Sequence, residues 1–408
     1  MARTIARQAD RLYDDVWIPE ETLEVRDRVR TFVENVLAPI AHDLNTTEES
    51  VARFPWDLVR KMGEAGLFRI PFSREDGGEG LQYPTVATMV MLEEVAYASS
   101  GIAAALIDVQ LILFGHTLKN TLPAVRERLF RQLVAGELVG SFATSEPAAS
   151  TDLSVKALRT EAVRAAGGYL LRGRKRWITN SPVAHFCFVL AKFEGSMSMF
   201  LVDMSSQGVT VGSPDKKMGN HSQLTADITF DDVFVPDDHL VGDSGRGLKS
   251  ALMSLTLGRV GIGACGVGMG QAAFDFAASY MQDRHVFGRP LAQFQYWQFK
   301  FADYATNLEC ARNLYVKAAL MIDKGRSDVQ SICAMAKLTG SSLAGDIARG
   351  AIQVCGGYGF AREVAATKER FPLEAIYRDS KIGEIYEGAN EIQRMIISRE
   401  IFGRDAVG

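Results

Sequence analysis

The hydrophobic period of this chain changes twice, and those two changes limit what it can fold into. From Glu20 to about Leu138 apolar residues recur at three-to-four spacing: Leu23, Val29, Phe32, Val33 and Val36, then Leu58, Val59, Met62 and Leu67, then Met89, Met91, Leu92 and Val95. That spacing lays an apolar stripe along a helix, and Gly77, Gly78 and Gly80 interrupt it with a loop. Near Ser141 the period shortens. Tyr169-Leu-Leu-Arg-Gly, Phe186-Cys-Phe-Val-Leu-Ala, Met199-Phe-Leu-Val-Asp and Ala226-Asp-Ile-Thr-Phe-Asp-Asp-Val-Phe-Val read as short strands between turn residues. At Gly247 the helical period returns, broken at Gly288-Arg-Pro290, Lys324-Gly325 and Gly356-Gly357, in segments long enough for a four-helix bundle. The expected fold is an α+β multidomain protein: an N-terminal all-α domain over 1–139, a small all-β domain over 140–245 and a C-terminal four-helix bundle over 246–408.

At 408 residues the chain exceeds one core, which agrees with several packed units. A formal net charge of −4 offers no basic surface for nucleic acid. Cys187, Cys265, Cys310, Cys333 and Cys355 are odd in number and never form Cys-x-x-Cys, against a disulfide framework or a zinc site and in keeping with a reducing cytoplasm. The first ten residues carry basic side chains but no apolar run, so no secretory signal is expected. The greasiest stretches, 102–114 and 260–276, contain Asp108, Gln110 or several glycines and read as buried helices rather than membrane insertions.

Gly261-Ile-Gly263-Ala-Cys-Gly266 satisfies the dinucleotide pattern G-x-G-x-x-G, which requires a preceding strand. Its flanks are helical, and Gly263, Gly266 and Gly270 fall at helical spacing, so helix-on-helix packing is the preferred reading. The six histidines are dispersed and no metal site is expected; His185 and His239 read as structural. Asn45-Thr-Thr and Asn220-His-Ser read as surface polar residues.

Five further segments carry chemistry. Phe142-Ala-Thr-Ser-Glu-Pro-Ala-Ala-Ser-Thr-Asp152 and Arg174-Lys-Arg-Trp-Ile-Thr-Asn180 gather hydroxyls and one Trp, either as walls for a flat ring system or as a β-turn and a core Trp. Tyr280-Met-Gln-Asp-Arg284-His-Val-Phe287-Gly288, with Gln295, ends one helix and starts another. Gln353-Val-Cys-Gly356-Gly357-Tyr-Gly359-Phe is a break whose amides could approach a pyrophosphate or turn the chain. Last comes Tyr386-Glu387-Gly388-Ala389-Asn390-Glu391, a carboxylate ahead of a helix with Asn390 as expected N-cap: a platform for a base, or a solvated loop Glu.

In this order, and across nearly the whole length, the five segments resemble the acyl-CoA dehydrogenase family. The resemblance implies an N-terminal helical domain, a middle β-barrel domain and a C-terminal four-helix bundle, with FAD as cofactor. Phe142, Thr144 and Ser145 would line the flavin, Trp177 and Thr179 would flank its ring, and Ala389 and Glu391 would lie beside it. Arg284, Phe287 and Gln295 would meet the adenosine-diphosphate half, with Gln353, Gly356 and Gly357 reaching it from a neighbouring subunit, in a homotetramer built as a dimer of dimers. Glu387 matches the base of the family's Tyr-Glu-Gly, the position some relatives use instead being Gly258 here. The implied reaction is concerted α,β-desaturation of an acyl-CoA, with Thr151, Thr256, Arg259 and Gly388 on the substrate and an electron-transferring flavoprotein as acceptor.

The chain departs from the family where Ser145-Glu-Pro-Ala148-Ala-Ser150-Thr151-Asp replaces two glycines, which makes left-handed backbone costlier there. Ala389 lacks a hydroxyl many relatives have, and 361–371 is a charged insertion. The acyl pocket is expected over Gly101-Ile-Ala-Ala-Ala-Leu-Ile107, where the absence of Lys and Arg favours a plain aliphatic chain and Ala103 and Ala104 leave room for length. Alternative readings are an oxygen-using oxidase or monooxygenase-like relative, a dehydrogenase of carrier-protein-bound acyl groups, and a flavin-less structural subunit of a hetero-oligomer.

Overall fold

The computed structural model describes residue 7 and residues 16–149, 151–403 and 405. Most of the N-terminal segment read above for a signal, and Ser150 of the altered loop, lie outside the described residues. The first unit comprises α1 (Glu20–Phe32), α2 (Ala38–Thr46), α3 (Trp56–Glu64), α4 (Pro84–Ala98), α5 (Ser100–Leu118) and α6 (Pro123–Ala135). Proline in the first turn starts α4 and α6, where its missing N–H has no partner to lose. Within α5, Ala103–Gly115 is wound as a π-helix and every residue of it is buried. A run of that length is unusual, and π turns concentrate at functional sites.

Eight strands follow: β1 (Gly140–Ala143), β2 (Glu161–Ala165), β3 (Gly168–Thr179), β4 (Phe186–Phe193), β5 (Ser196–Asp203), β6 (Val209–Val211), β7 (Thr225–Pro236) and β8 (Leu240–Val241). Their ladder runs β6-β7-β3-β2-β4-β5-β8, with β1 parallel to β4. β2 and β4 share only the pair Glu161–Lys192, so the strand ladder is two hairpin-rich halves paired at one residue, with a common apolar core between them. Alternation along β4 and β5 explains their unbroken apolar sequences. Cys187, Val189, Phe200 and Val202 fill the barrel, whereas Phe188, Leu190, Met199 and Leu201 join the helical core on the opposite face.

The C-terminal unit is α7 (Gly247–Asp283), a tight hairpin of β9 (His285–Val286) and β10 (Arg289–Pro290), α8 (Gln295–Asp323), α9 (Gln330–Cys355), α10 (Leu373–Gly383) and α11 (Asn390–Phe402). The two segments with membrane-like composition, α5 and α7, have 94% and 78% of their most apolar windows buried, so they are core helices. Glycines decide how closely α7 packs. A Cβ at Gly263 would stand 2.7 Å from Ala336 O, one at Gly266 2.3 Å from Gly340 O, and one at Gly340 2.2 Å from Gly263 O. The G-x-G-x-x-G pattern is therefore the seam between two parallel helices.

This seam separates two glycine substitutions. Gly266→Ala forces α7 from α9 and should lower the thermal unfolding midpoint by an overpacking cost of about 1–3 kcal/mol. Gly345→Ala, whose Cβ would meet nothing nearer than 3.5 Å, should leave the midpoint unchanged or raise it, since Ala is the better helix former by up to ~1 kcal/mol. Differential scanning calorimetry of the two variants checks the contrast.

Candidate active site

Glu387 lies in the loop between α10 and α11 and enters the core because the chain turns sharply there: φ is +52° at Glu387 and +85° at Gly388. A left-handed non-glycine residue costs roughly 1–2 kcal/mol, so the turn needs support. Gln393, one turn into α11, supplies it by donating from Nε2 to Gly388 O at 2.7 Å and to Glu387 O at 3.4 Å. The carboxylate then faces α7 where α7 has no side chain; a Cβ at Gly258 would fall 2.8 Å from Glu387 Oε2. Oε2 is sealed from solvent and accepts no hydrogen bond. Burial raises the acid to about 7, opposed by the charges of Arg259 and Lys337.

Both cations are themselves strained by burial. Lys337, fully buried on α9, is pulled down to about 8 and donates to Asn390 Oδ1 at 2.9 Å. That contact overturns the expected capping role. Asn390 is the first residue of α11, Ala389 precedes it without a side-chain cap, and the Asn side chain serves Lys337, Ser341 and Ser342 instead. Arg259 donates to Gln330 Oε1 at 3.2 Å, which Thr256 Oγ1 also reaches at 3.3 Å, and its Nε is buried without a partner. Arg259 thus stands within electrostatic reach of the base, with Thr256 one turn before it on α7 and sharing Gln330, while Thr151 is on an exposed loop.

The middle-domain residues converge from two strands and one loop. Ser141 Oγ on β1 donates to Thr179 O on β3, Arg176 N donates to Ser145 O, and the buried Lys175 donates to Thr144 O and to Glu146. These bonds hold the backbone of Thr144 and Ser145 against the β3 segment that carries Trp177 and Thr179, with Phe142 buried at the core side of β1. A bulge between Lys175 and Ile178 ejects Trp177, which has φ +57° and is 59% exposed, so it is not a core Trp. Thr179 Oγ1 accepts from Gln223 Nε2 at 3.0 Å and keeps its own hydrogen for an outward acceptor. An uncovered indole beside a hydroxyl donor and a polar loop fits a flat ring system with nitrogen and carbonyl acceptors. Ala148, one of the two glycine replacements, does not adopt positive φ, and a Glu146–Ala149 bridge closes the loop, so the Cβ at 148 costs no left-handed strain; the other replacement, Ser150, lies outside the described residues.

The remaining predicted residues lie elsewhere. Arg284 caps the C-terminal end of α7, Phe287 is 97% exposed at the hairpin tip, and Gln295, Gln353, Gly356 and Gly357 are exposed around it. Gly356, at φ +61° and ψ −132°, holds a conformation open to glycine, and added Cβ atoms at Gly356 and Gly357 would meet nothing within 4 Å. From Gly258 to Arg284 the axis of α7 rises roughly 40 Å. Arg284 and the Gly356 loop adjoin one another, since Tyr280 and Tyr358 are in ring contact at 6.2 Å, but neither approaches Glu387 of the same chain. Ala389 lies in the base loop, and Glu391 points to solvent from the first turn of α11.

The charged insertion 361–371 closes on itself through a Glu363–Arg370 bridge and reaches α2, with Arg370 on Asp43 at 3.3 Å. Beside it a cavity of about 990 Å³ opens between His42, Tyr280, Arg284, Tyr358 and Lys368. The sequon residues are not surface residues. Asn220 is buried and accepts from Ser100 Oγ, and Asn45 is half-buried and holds Ala98 O and Ser99, because each ties an α4–α5 junction to its neighbour. His185 and His239 engage backbone groups, and no cluster of metal-ligating side chains occurs among the described residues. Lys337, Gln330, Gln393 and Asp108 were not singled out as site residues; a lysine within Ala334-Met-Ala-Lys337-Leu was the one signal available.

Comparison with known proteins agrees with this arrangement. Residues 19–137, 141–233 and 245–402 match the N-terminal, middle and C-terminal domains of acyl-CoA dehydrogenase, respectively. The chain is 36% identical to the short-chain specific acyl-CoA dehydrogenase, mitochondrial, of Rattus norvegicus over 397 residues, covering 96% of this chain and 92% of that one. It superimposes on butyryl-CoA dehydrogenase from Megasphaera elsdenii with a TM-score of 0.86 at 30% identity, over 94% and 98% of the two chains. A chain solved in work on the electron transferring flavoprotein of Acidaminococcus fermentans gives 0.87 at 31% identity, over 94% and 98%. The chain belongs to the acyl-CoA dehydrogenase family, flavin-dependent oxidoreductases acting on CH–CH bonds.

The raised acid at Glu387 has a stability consequence with a definite sign. Its folded pKa lies above the unfolded one, so the cost of the buried carboxylate is absent below about pH 4.5, grows as pH rises toward 7 and is full above that. Glu387→Gln should therefore raise the unfolding midpoint relative to wild type at pH 8 and change it little at pH 4.5. Equal differences at both values in thermal melts would contradict the assignment of the buried charge.

Proposed function

We propose that this chain desaturates a short acyl-CoA thioester, Glu387 removing the α-proton as the β-hydrogen departs, to give a trans-2-enoyl-CoA. The observation that carries this reading is Glu387 Oε2, a buried carboxylate oxygen with no partner, held against Gly258. A carboxylate in water is a weak base; burial that lifts it to about 7 brings it into the range where a general base works at neutral pH. The N–H of Glu387 makes no backbone hydrogen bond, which leaves it free to donate to the thioester carbonyl and stabilise the charge that develops there. Arg259 and Lys337 support the ionised base and limit how far burial can raise it. FAD, when bound, supplies the acceptor for the hydride that leaves Cβ.

Phe142, Thr144, Ser145, Trp177 and Thr179 would hold the flavin ring, and Arg284, Phe287, Gln295, Gln353, Gly356 and Gly357 the adenosine-diphosphate half. The distance along α7 between these groups supports a cofactor shared between chains, the second group serving a neighbour's flavin. The uncovered side chains of Phe287, Tyr296, Phe299, Phe360, Ile401 and Phe402 at that end and on α11 support the same oligomer, a homotetramer in this reading. The short chain length follows the names of the relatives, and an electron-transferring flavoprotein is the proposed acceptor.

An anaerobic absorbance titration of the purified protein with saturated acyl-CoAs of graded length tests the reading. Short thioesters should bleach a bound flavin, and Glu387→Gln should bind the same thioesters without bleaching. A protein that takes up no flavin, or a Glu387→Gln variant reduced as readily as wild type, would sink it. Oxygen uptake during turnover would convert the assignment from dehydrogenase to oxidase.

A further inference from the structure

Asp108 is a second buried carboxyl beside the base, and the proton transfer does not use it. It lies in the π-helical part of α5, 1% exposed, and its Oδ1 is buried with no hydrogen-bond partner. A Cβ at Gly261 would stand 2.8 Å from that oxygen, just as one at Gly258 would stand 2.8 Å from Glu387 Oε2. Positions 258 and 261 are neighbours on the helix surface, roughly 5–6 Å apart at Cβ. The two carboxyls therefore sit side by side along one face of α7, at two positions where α7 has no side chain. Leu92 and Ile112 close the space around Gly261.

The groups that act electrostatically with Asp108 are Glu387, Cys265 and Tyr386. Arg259 and Lys337 act on Glu387 and do not offset Asp108. Burial first, and the charge of Glu387 second, hold Asp108 well above the usual carboxylate range, which favours the protonated form that can donate a hydrogen bond. A buried donor without an acceptor is costly, and each such group in a native protein needs an explanation. Here the side facing the base is where a substrate's acyl chain would run.

We propose that Asp108 is a specificity-determining residue whose carboxyl meets the acyl chain a few carbons beyond the α-carbon and selects acyl groups bearing an acceptor oxygen there, such as a ketone, over plain alkyl chains. The inference rests on the desaturation reading of Glu387. It revises the expectation drawn from 101–107: the absence of cations there argues against an anionic chain end, and Asp108, one residue further on, adds a donor that an alkyl chain leaves unmet. Against a carboxylate-terminated acyl group stands the lack of a cation to neutralise it in 101–107.

The test is calorimetric titration of flavin-loaded Glu387→Gln protein, which cannot take the α-proton, with hexanoyl-CoA and 5-oxohexanoyl-CoA. The oxo compound should bind at least about tenfold more tightly. Adding Asp108→Asn, which keeps a donor, should retain most of that preference, and adding Asp108→Leu should abolish or invert it. Equal dissociation constants in the Glu387→Gln parent, or a preference that survives Asp108→Leu, would overturn the proposal. The parent comparison stands even if the Leu variant does not fold. Anaerobic flavin bleaching of wild type by both thioesters separates the two readings: bleaching with equal affinities removes only the role of Asp108, while no bleaching by either removes the desaturation reading and this inference with it.

Discussion

Everything in the site depends on what α7 lacks. Gly258, Gly261, Gly263, Gly266, Gly268 and Gly270 strip a stretch of the helix of side chains, and neighbours from several elements fill the gaps. Glu387 approaches at 258, Asp108 at 261, the backbone of α9 at 263 and 266, and the Glu93 carbonyl of α4 at 268. Interior glycine costs a helix about 1 kcal/mol per residue relative to alanine. Packing on three sides offsets that cost, and the close approach fixes the base loop and the acyl-facing helix relative to one scaffold. A side chain at any of these positions would displace chemistry and core together.

Against that scaffold, burial acts alike on two carboxyls and the cations make the difference. Glu387 has Arg259 and Lys337 within electrostatic reach, so its affinity for protons settles near 7. Asp108 has neither, and it faces the charge of Glu387, so burial and that charge together hold it well above the usual carboxylate range. One position is then suited to take a proton and the other to donate a hydrogen bond, a division set by environment rather than by residue type. The turn that delivers Glu387 is held in left-handed backbone by Gln393, and the carboxylate it delivers satisfies no protein group. Strain and an unmet hydrogen bond at one residue are the marks of a group held ready for a ligand.

Periodicity in the sequence was enough to find the helical, strand and helical regions, because Phe188 and Val189 or Leu133 and Leu138 sit where simple repeats place them. The Tyr386-Glu387-Gly388 turn and the Trp177-Ile-Thr179 strand were legible as motifs for the same reason: their residues are adjacent in the chain. What the sequence could not display was convergence over long separations. Lys337 reads as one more helical lysine until Asn390 is seen to be its acceptor, and Asp108 reads as a flaw in an apolar run until Gly261 is seen to face it. Asn390 was read as a cap because caps are local; its side chain is claimed by a buried charge 53 residues away in sequence. The π-helical winding of α5 is also a tertiary effect. Asn180 donates to Ala105 O and Gly140 O, so the strand carrying Trp177 and Thr179 is tied to the helix that faces the base.

The length of α7 also determines what one chain can do alone. Glu387 lies against its N-terminal half at Gly258, and Arg284 with the Gly356 loop lies at the far end, roughly 40 Å along the same helix. A rigid, glycine-sealed helix cannot bend to bring them together, since its seam with α9 runs through the middle. In the proposed reading each end is half of a site, and the end at Arg284 leaves Phe287 almost wholly uncovered. If the cofactor is shared between chains as proposed, cofactor affinity and subunit association draw on the same contacts. A substitution at the hairpin tip should weaken flavin binding in a protomer whose own base and ring-facing surface are untouched.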